Sequence, residues 1–132
     1  MRYRQQSFRR RSQHPEAFLQ EQFVHWLDAK GVLFTSFMTG NIKISRFAAV
    51  MKKRLGVKAG MPDMLIFQPT KKYHGLFIEL KASDGDTDNP KQLWWQEELN
   101  KRGYLAVIMP KGLEFPQSFY WLRDFVEKYL GE

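Results

Sequence analysis

Residues 60–81, GMPDMLIFQPTKKYHGLFIELK, are the stretch that decides the fold. Two short apolar runs lie here, at residues 64–67 and 76–80, and a polar connection with a proline separates them. Runs of this length, rich in branched and aromatic side chains and bounded by Gly and Pro, are typical of β-strands. The sequence therefore predicts two central strands that pair as a hairpin.

Charged residues enter and interrupt these apolar runs. Side chains alternate between the two faces of a strand, so Glu79 and Lys81 point to one face while Ile78 and Leu80 point to the other. Asp63 enters the first run directly after a Gly-Met-Pro turn. If the two runs pair, Asp63 converges with Glu79, and Lys81 lies beside them.

Two carboxylates and an amine at one place suit a metal-dependent phosphodiesterase. Carboxylate oxygens are the ligands that Mg²⁺ prefers. An adjacent lysine can orient the attacking water or offset charge on the phosphate. The simpler alternative is a half-exposed strand on which an acid and a base alternate with apolar residues, and the apolar neighbours of Glu79 argue against it.

Length, composition and charge narrow the class of protein. The chain of 132 residues fits one domain, and it has no cysteine, which excludes disulfides, thiolate zinc sites and cysteine nucleophiles. Its formal net charge of +7 favours a polyanionic partner, most simply nucleic acid, although a basic protein without such a partner is the alternative. Neither a membrane span nor a secretory signal is visible, so a cytoplasmic protein is expected.

The chain divides into a basic arm and one domain. Residues 1–14 carry five arginines and no acid, which predicts a flexible arm suited to phosphates, and residues 15–132 form a single predicted domain. The element order is α-β-(α)-β-β-α-β-α, an α/β fold with a mixed sheet flanked by helices. The predicted elements are a helix from 15 to 31, a strand at 32–37, a short helix at 46–55, strands at 63–67 and 75–82, a helix at 90–102, a strand at 104–109, and a final helix from 115 or 117 to 130.

Other kinds of site find little support. No Gly-x-Ser-x-Gly motif is present, and no pair of histidines has the helical spacing of zinc ligands. The run Asp84-x-Asp86-x-Asp88 resembles the start of a calcium loop. It has Asn89 where glycine is required and Trp95 where glutamate is required, so we interpret it as a solvated acidic loop.

Several motifs together resemble one nuclease family. They are Gly-x-Pro-Asp at 60–63, Ile-Glu-Leu-Lys at 78–81, Asn-Pro-x-Gln at 89–92, and the pair Gly-Tyr at 103–104. In this combination the chain resembles the VRR-NUC branch of the PD-(D/E)XK nuclease superfamily. It is similar to the stand-alone phage and bacterial members and to the nuclease domain of the Fanconi-associated nuclease. The resemblance covers about residues 15–130.

The resemblance implies a restriction-endonuclease-like core of order α-β-β-β-α-β and Mg²⁺- or Mn²⁺-dependent cleavage of DNA. It implies that Asp63 and Glu79 are metal ligands, and that the backbone carbonyl of Leu80 is a further one. Lys81 would position or activate the attacking water.

Two further catalytic residues follow from the same resemblance. Gln92 matches the glutamine that the family carries on the helix after the hairpin. Glu16 matches an early glutamate of the family, which makes it a further candidate metal ligand; by position alone it is equally an ordinary acid in the first turn of a helix.

The expected function is a divalent-metal-dependent endodeoxyribonuclease acting on branched DNA such as four-way (Holliday) junctions. Symmetrical cutting of two strands needs two sites, so a homodimer is expected. A non-catalytic DNA-binding or assembly protein with a nuclease-like fold, and an RNA-processing nuclease, remain alternatives. Five basic residues precede the site in the sequence and are candidates for binding the nucleic-acid backbone, or else form a solvated face: Arg46, Lys52, Lys53, Arg54 and Lys58.

Overall fold

A computed structural model describes residues 14–37, 44–82 and 89–132. Three features predicted from the sequence lie outside these ranges. They are the basic arm up to residue 13, the break after the first strand at residues 39–41, and the acidic segment 83–88.

The described residues form four helices and four strands in the predicted order.

 The elements are α1 (Pro15–Lys30), β1 (Phe34–Ser36), α2 (Arg46–Arg54), β2 (Met64–Ile66), β3 (Leu76–Glu79), α3 (Pro90–Lys101), β4 (Leu105–Ile108) and α4 (Gln117–Leu130). The predicted α/β class with a mixed sheet and a C-terminal helix is confirmed.

The strands form one sheet in the order β1-β2-β3-β4. β1 pairs antiparallel with β2, and β2 pairs antiparallel with β3, so the predicted hairpin is confirmed with Met64 opposite Ile78. β3 and β4 are parallel. A parallel pair needs a crossover connection, and α3 supplies it.

The predicted strand at 75–82 was too long, because β3 ends at Glu79. The backbone N–H of Leu80 donates a hydrogen bond of 2.8 Å to Oδ2 of Asp63, and no longer to a strand carbonyl. The backbone hydrogen bonds between β3 and β2 therefore end at the Asp63 side chain, which accepts this N–H. Lys81 lies beyond the strand but remains buried.

The sheet has a different core on each face. Leu76, Ile78 and Leu80 pack with the apolar sides of α1 and α4, whereas Phe77 packs with Leu99 of α3 on the opposite face. This confirms the predicted alternation. The structure also settles the open start of the final helix, since α4 begins at Gln117, and Val126 on this helix is fully buried.

Helix ends follow the sequence signals. Gly31 closes α1 with a φ of 75°, a left-handed conformation that glycine adopts without steric penalty. Asn89 caps α3, since its side chain accepts the backbone N–H of Lys91 at 3.0 Å and that of Gln92 at 3.5 Å. None of the helices within the described ranges is long and apolar enough to cross a membrane.

We expect Tyr129→Phe to lower the free energy of unfolding by about 1 kcal/mol. The Tyr129 hydroxyl donates a 2.6 Å hydrogen bond to the carbonyl of Gln68, which would lose its partner. Burial, and then the charges of Glu132 and Tyr73, raise the pKa of Tyr129 above 10.0. The stabilisation it gives is complete below 10.0 and is lost as the pH rises through the raised pKa, so the variant should be less sensitive to alkali.

Urea unfolding near neutral pH and at alkaline pH measures both effects. Tyr120→Phe is the matched control, because its ring is 44% exposed. Equal stability of the wild-type and Tyr129→Phe proteins at both pH values would contradict the prediction.

Candidate active site

Three ionisable side chains are buried together where β2 begins and β3 ends. Asp63, Glu79 and Lys81 are only 7%, 6% and 6% exposed. Burying a charge is unfavourable unless other groups compensate for the lost hydration. The contacts of these three residues therefore show what the arrangement is built to hold.

The backbone brings the two acidic residues opposite each other. In the hairpin register Met64 faces Ile78, which places Asp63 across from Glu79. Backbone bonds fix both positions: Phe37 N–H donates to the Asp63 carbonyl at 2.8 Å, and Met109 N–H donates to the Glu79 carbonyl at 3.0 Å. The Asp63 carboxylate is itself held by the N–H of Leu80.

Gln92 connects the lysine to the glutamate. Lys81 Nζ donates to Gln92 Oε1 at 2.8 Å, and Gln92 Nε2 donates to Glu79 Oε1 at 2.6 Å. Gln92 lies in the first turn of α3, the turn that Asn89 caps. The start of α3 thus orients both side chains.

The electrostatics of the site centre on Glu79. Its pKa is raised from 4.5 to about 8, first by burial and then by the neighbouring Asp63 carboxylate, while Lys81 acts in the opposite direction. Oε2 of Glu79 is buried and has no hydrogen-bond partner among the described residues. One oxygen of this carboxylate is satisfied by Gln92, and the other is not satisfied.

Glu16 also acts on this site. It is half-buried in the first turn of α1, and its negative charge contributes to the raised pKa of Glu79. The structure therefore brings all five predicted catalytic residues into one neighbourhood. Their catalytic roles remain predictions.

The site fits a divalent cation in its chemistry. Two buried carboxylates side by side, one with an unsatisfied oxygen, repel each other unless a proton or a cation neutralises them. Their oxygens are the hard ligands that Mg²⁺ and Mn²⁺ take. Within the described ranges, no group of three acidic, histidine or cysteine side chains is placed to hold a metal by itself. A backbone carbonyl, as predicted for Leu80, would complete such a set.

The loop before Asp63 packs on α3, a contact that the sequence alone did not reveal. Gly60 has a φ of 85°, and a Cβ built on it would lie 2.6 Å from Cβ of Lys91. Trp95 Nε1 donates to the carbonyl of Ala59 at 3.0 Å. Gly60 therefore approaches α3 closely, whereas a Cβ on Gly56 would meet nothing within 4 Å.

The predicted nucleic-acid-binding residues are not part of this buried cluster. They are exposed on α2 and on the loop that follows it: Arg46, Lys52, Lys53, Arg54 and Lys58. Their role stays a prediction.

Comparison with known proteins agrees with the fold and the motifs. The family model of the VRR-NUC domain matches residues 2–110, a range that includes every residue of the buried site. The chain belongs to the VRR-NUC family. It therefore carries a nuclease-type domain, and the matched range begins within the predicted basic arm.

Two solved structures are similar to this VRR-NUC chain. One, described as a VRR_NUC domain protein, is 34% identical with a TM-score of 0.54, and the match covers 73% of this chain and 77% of the other. The second, described as a VRR_NUC domain, is 22% identical with a TM-score of 0.49, and covers 82% of this chain and 94% of the other. A comparison with curated protein sequences found no match.

We expect Glu79→Gln to change how the stability of the metal-free VRR-NUC domain depends on pH. The folded state raises the pKa of Glu79 from 4.5 to about 8, so the folded protein holds a proton that the unfolded chain releases. The stability due to this proton is complete below 4.5 and is lost as the pH rises to about 8. A glutamine stays neutral, so this loss should be absent.

Urea unfolding in EDTA across this pH window tests the expectation, with the exposed Glu97→Gln as the matched control. The difference between wild type and variant cancels the contributions of groups that do not interact with Glu79. A parallel pH dependence of the wild-type and Glu79→Gln proteins would show that Glu79 is not perturbed.

We expect Gly60→Ala to destabilise the domain more than Gly56→Ala does. Both glycines have positive φ, 85° and 93°, so both substitutions introduce a similar backbone strain, of order 1–2 kcal/mol. Only the new methyl group at 60 collides with Lys91. The difference between the two free energies of unfolding isolates this collision, and equal values would mean that the loop does not pack on α3.

Proposed function

We propose that this protein is a Mg²⁺- or Mn²⁺-dependent endonuclease that hydrolyses phosphodiester bonds of DNA, with branched DNA such as four-way junctions as its substrate. One observation carries the proposal: the buried carboxylates of Asp63 and Glu79 lie side by side, and Gln92 ties Glu79 to Lys81. Membership of the VRR-NUC family supplies the nuclease class.

Asp63 and Glu79 would hold the metal ion, with the carbonyl of Leu80 and the carboxylate of Glu16 as further ligands. The unsatisfied Oε2 of Glu79 supports this assignment. When bound, the ion supplies Lewis-acid polarisation of the phosphate and lowers the pKa of a coordinated water.

Lys81 is the residue for positioning water or stabilising charge on the phosphate. An ammonium group has three N–H donors, and Gln92 accepts one of them. The Gln92 amide fixes the position of Nζ before substrate arrives. Donors that are already oriented stabilise developing charge without reorganising during the reaction.

The surface charge and the geometry of junction cleavage complete the proposal. The basic residues of α2 would hold the phosphate backbone, since lysine and arginine supply most of the non-specific affinity for DNA. A homodimer is part of the proposal, because two strands cut symmetrically require two sites. The reaction would take place in the cytoplasm of a bacterial or phage-infected cell.

We expect Lys81→Ala and Glu79→Ala to reduce cleavage of branched DNA by about 100-fold or more, as removal of one charge-stabilising group does in other enzymes. The measurement is cleavage of duplex, flap, fork and four-way DNA in Mg²⁺ or Mn²⁺. Matched RNA substrates distinguish an RNA-processing nuclease. Lys72→Ala, on an exposed connection, is the control.

Full metal-dependent cutting by both variants would refute the site assignment, and inactivity of the wild-type protein on every substrate would favour the non-catalytic alternative.

Metal binding can be measured separately from cleavage. Saturating Mg²⁺ should raise the melting temperature of the wild-type protein and not that of Glu79→Gln, because a ligand that binds only the folded state stabilises it.

A further inference from the structure

Helix α2 presents large apolar side chains to solvent. Phe47 is 76% exposed, Val50 is 51% exposed, and Leu55, which directly follows the helix, is 77% exposed. None of the nine residues of α2 is buried, and only Ala48 and Met51 are partly covered. The helix therefore contributes little to the core through its side chains.

The helix is nevertheless well specified by its own sequence. Ser45 caps it, with its hydroxyl accepting the backbone N–H of Ala48 at 3.1 Å. The last turn carries Lys52, Lys53 and Arg54, where positive charge stabilises the helix dipole. Such local signals stabilise the helix although its side chains are exposed.

Apolar and basic side chains share one side of α2. Phe47, Val50 and Arg54 are spaced i, i+3 and i+7, which places them on one stripe of a helix. Aromatic and basic groups side by side are typical of surfaces that bind single-stranded nucleic acid, where bases stack on the ring and the cation contacts phosphate.

The positive charge of the sequence around α2 favours a negatively charged partner. No acidic residue occurs from residue 29 to residue 62, whereas seven lysines and arginines do. Two copies of this chain that met through α2 would bring these cations together, and like charges across an interface oppose binding. A polyanion that also offers apolar faces satisfies both properties of the helix, and nucleic acid with unstacked bases has them.

We propose that α2 is a binding surface for nucleic acid with unpaired bases, on which Phe47 stacks against a base while the neighbouring cations hold the backbone. This inference rests on the proposed nuclease function and specifies its substrate as DNA with splayed or single-stranded parts. Helix α2 precedes the site in the chain, and the loop that follows it packs on α3 through Gly60 and continues into Asp63.

The test is DNA binding in EDTA, where metal-dependent cleavage does not interfere. Fluorescence anisotropy compares a forked DNA having single-stranded arms with a blunt duplex of equal length. Phe47→Ala should weaken binding to the fork by about 10-fold and leave duplex binding within about 2-fold. Phe47→Trp should bind the fork as wild type does, because it keeps an aromatic face.

Lys53→Ala is the matched control on the same helix. It should weaken binding to both DNAs and reduce the slope of log affinity against log salt by about one. Unchanged fork binding by Phe47→Ala, or an equal loss on fork and duplex, overturns the proposal.

The same variant also tests two other kinds of partner, a second copy of this chain and an anionic lipid surface. If Phe47→Ala converts a dimer into a monomer in light scattering, α2 is a contact between copies and the proposal is wrong. It is also wrong if the wild-type protein binds phosphatidylglycerol vesicles through Phe47 and does not discriminate fork from duplex. Loss of fork binding in Phe47→Ala supports the proposal even if no cleavage is found. The binding measurement therefore tests the role of α2 separately from the proposed enzyme activity.

Discussion

The hydrogen bond from the Leu80 N–H to the Asp63 carboxylate is the constraint on which the site depends. It ends the β2–β3 ladder and fixes the first acid beside the second. It also leaves Lys81 beyond the strand, where its ammonium group reaches Gln92. If the hairpin had continued for two more residues, Leu80 would donate to a backbone carbonyl, and Asp63 would lose the contact that orients it.

The remaining structure holds this buried polar cluster from several directions. The apolar side of the sheet that faces α1 and α4 provides the larger core, and α3 covers the opposite face with a smaller one. Gln92 comes from α3, and Glu16 comes from α1. Because buried charges are unfavourable, a cluster with one unsatisfied carboxylate oxygen persists only where the surrounding fold fixes it. Such an arrangement is typical of functional sites, where the groups needed for the reaction lower the stability of the fold.

Much of the fold follows from local signals. The alternation in β3, the cap at Asn89 and the end of α1 at Gly31 each act over a few residues, so a pattern in the sequence predicts them well. Such local patterns did not predict the ends of the strands. The limit of β3 depends on the Asp63 side chain, which is 17 residues away from Leu80 in the sequence.

The sequence by itself determined the order of elements and the two faces of the hairpin, and its resemblance to the VRR-NUC family brought Asp63, Glu79, Lys81, Gln92 and Glu16 into one candidate set. Only the tertiary structure decided the surroundings of these residues. The unsatisfied oxygen of Glu79, its raised pKa and the packing of Gly60 on α3 arise from groups that folding brings together. The exposure of Phe47 belongs with them. An apolar residue at a helical position predicts burial, and whether another element covers it is a property of the assembled fold.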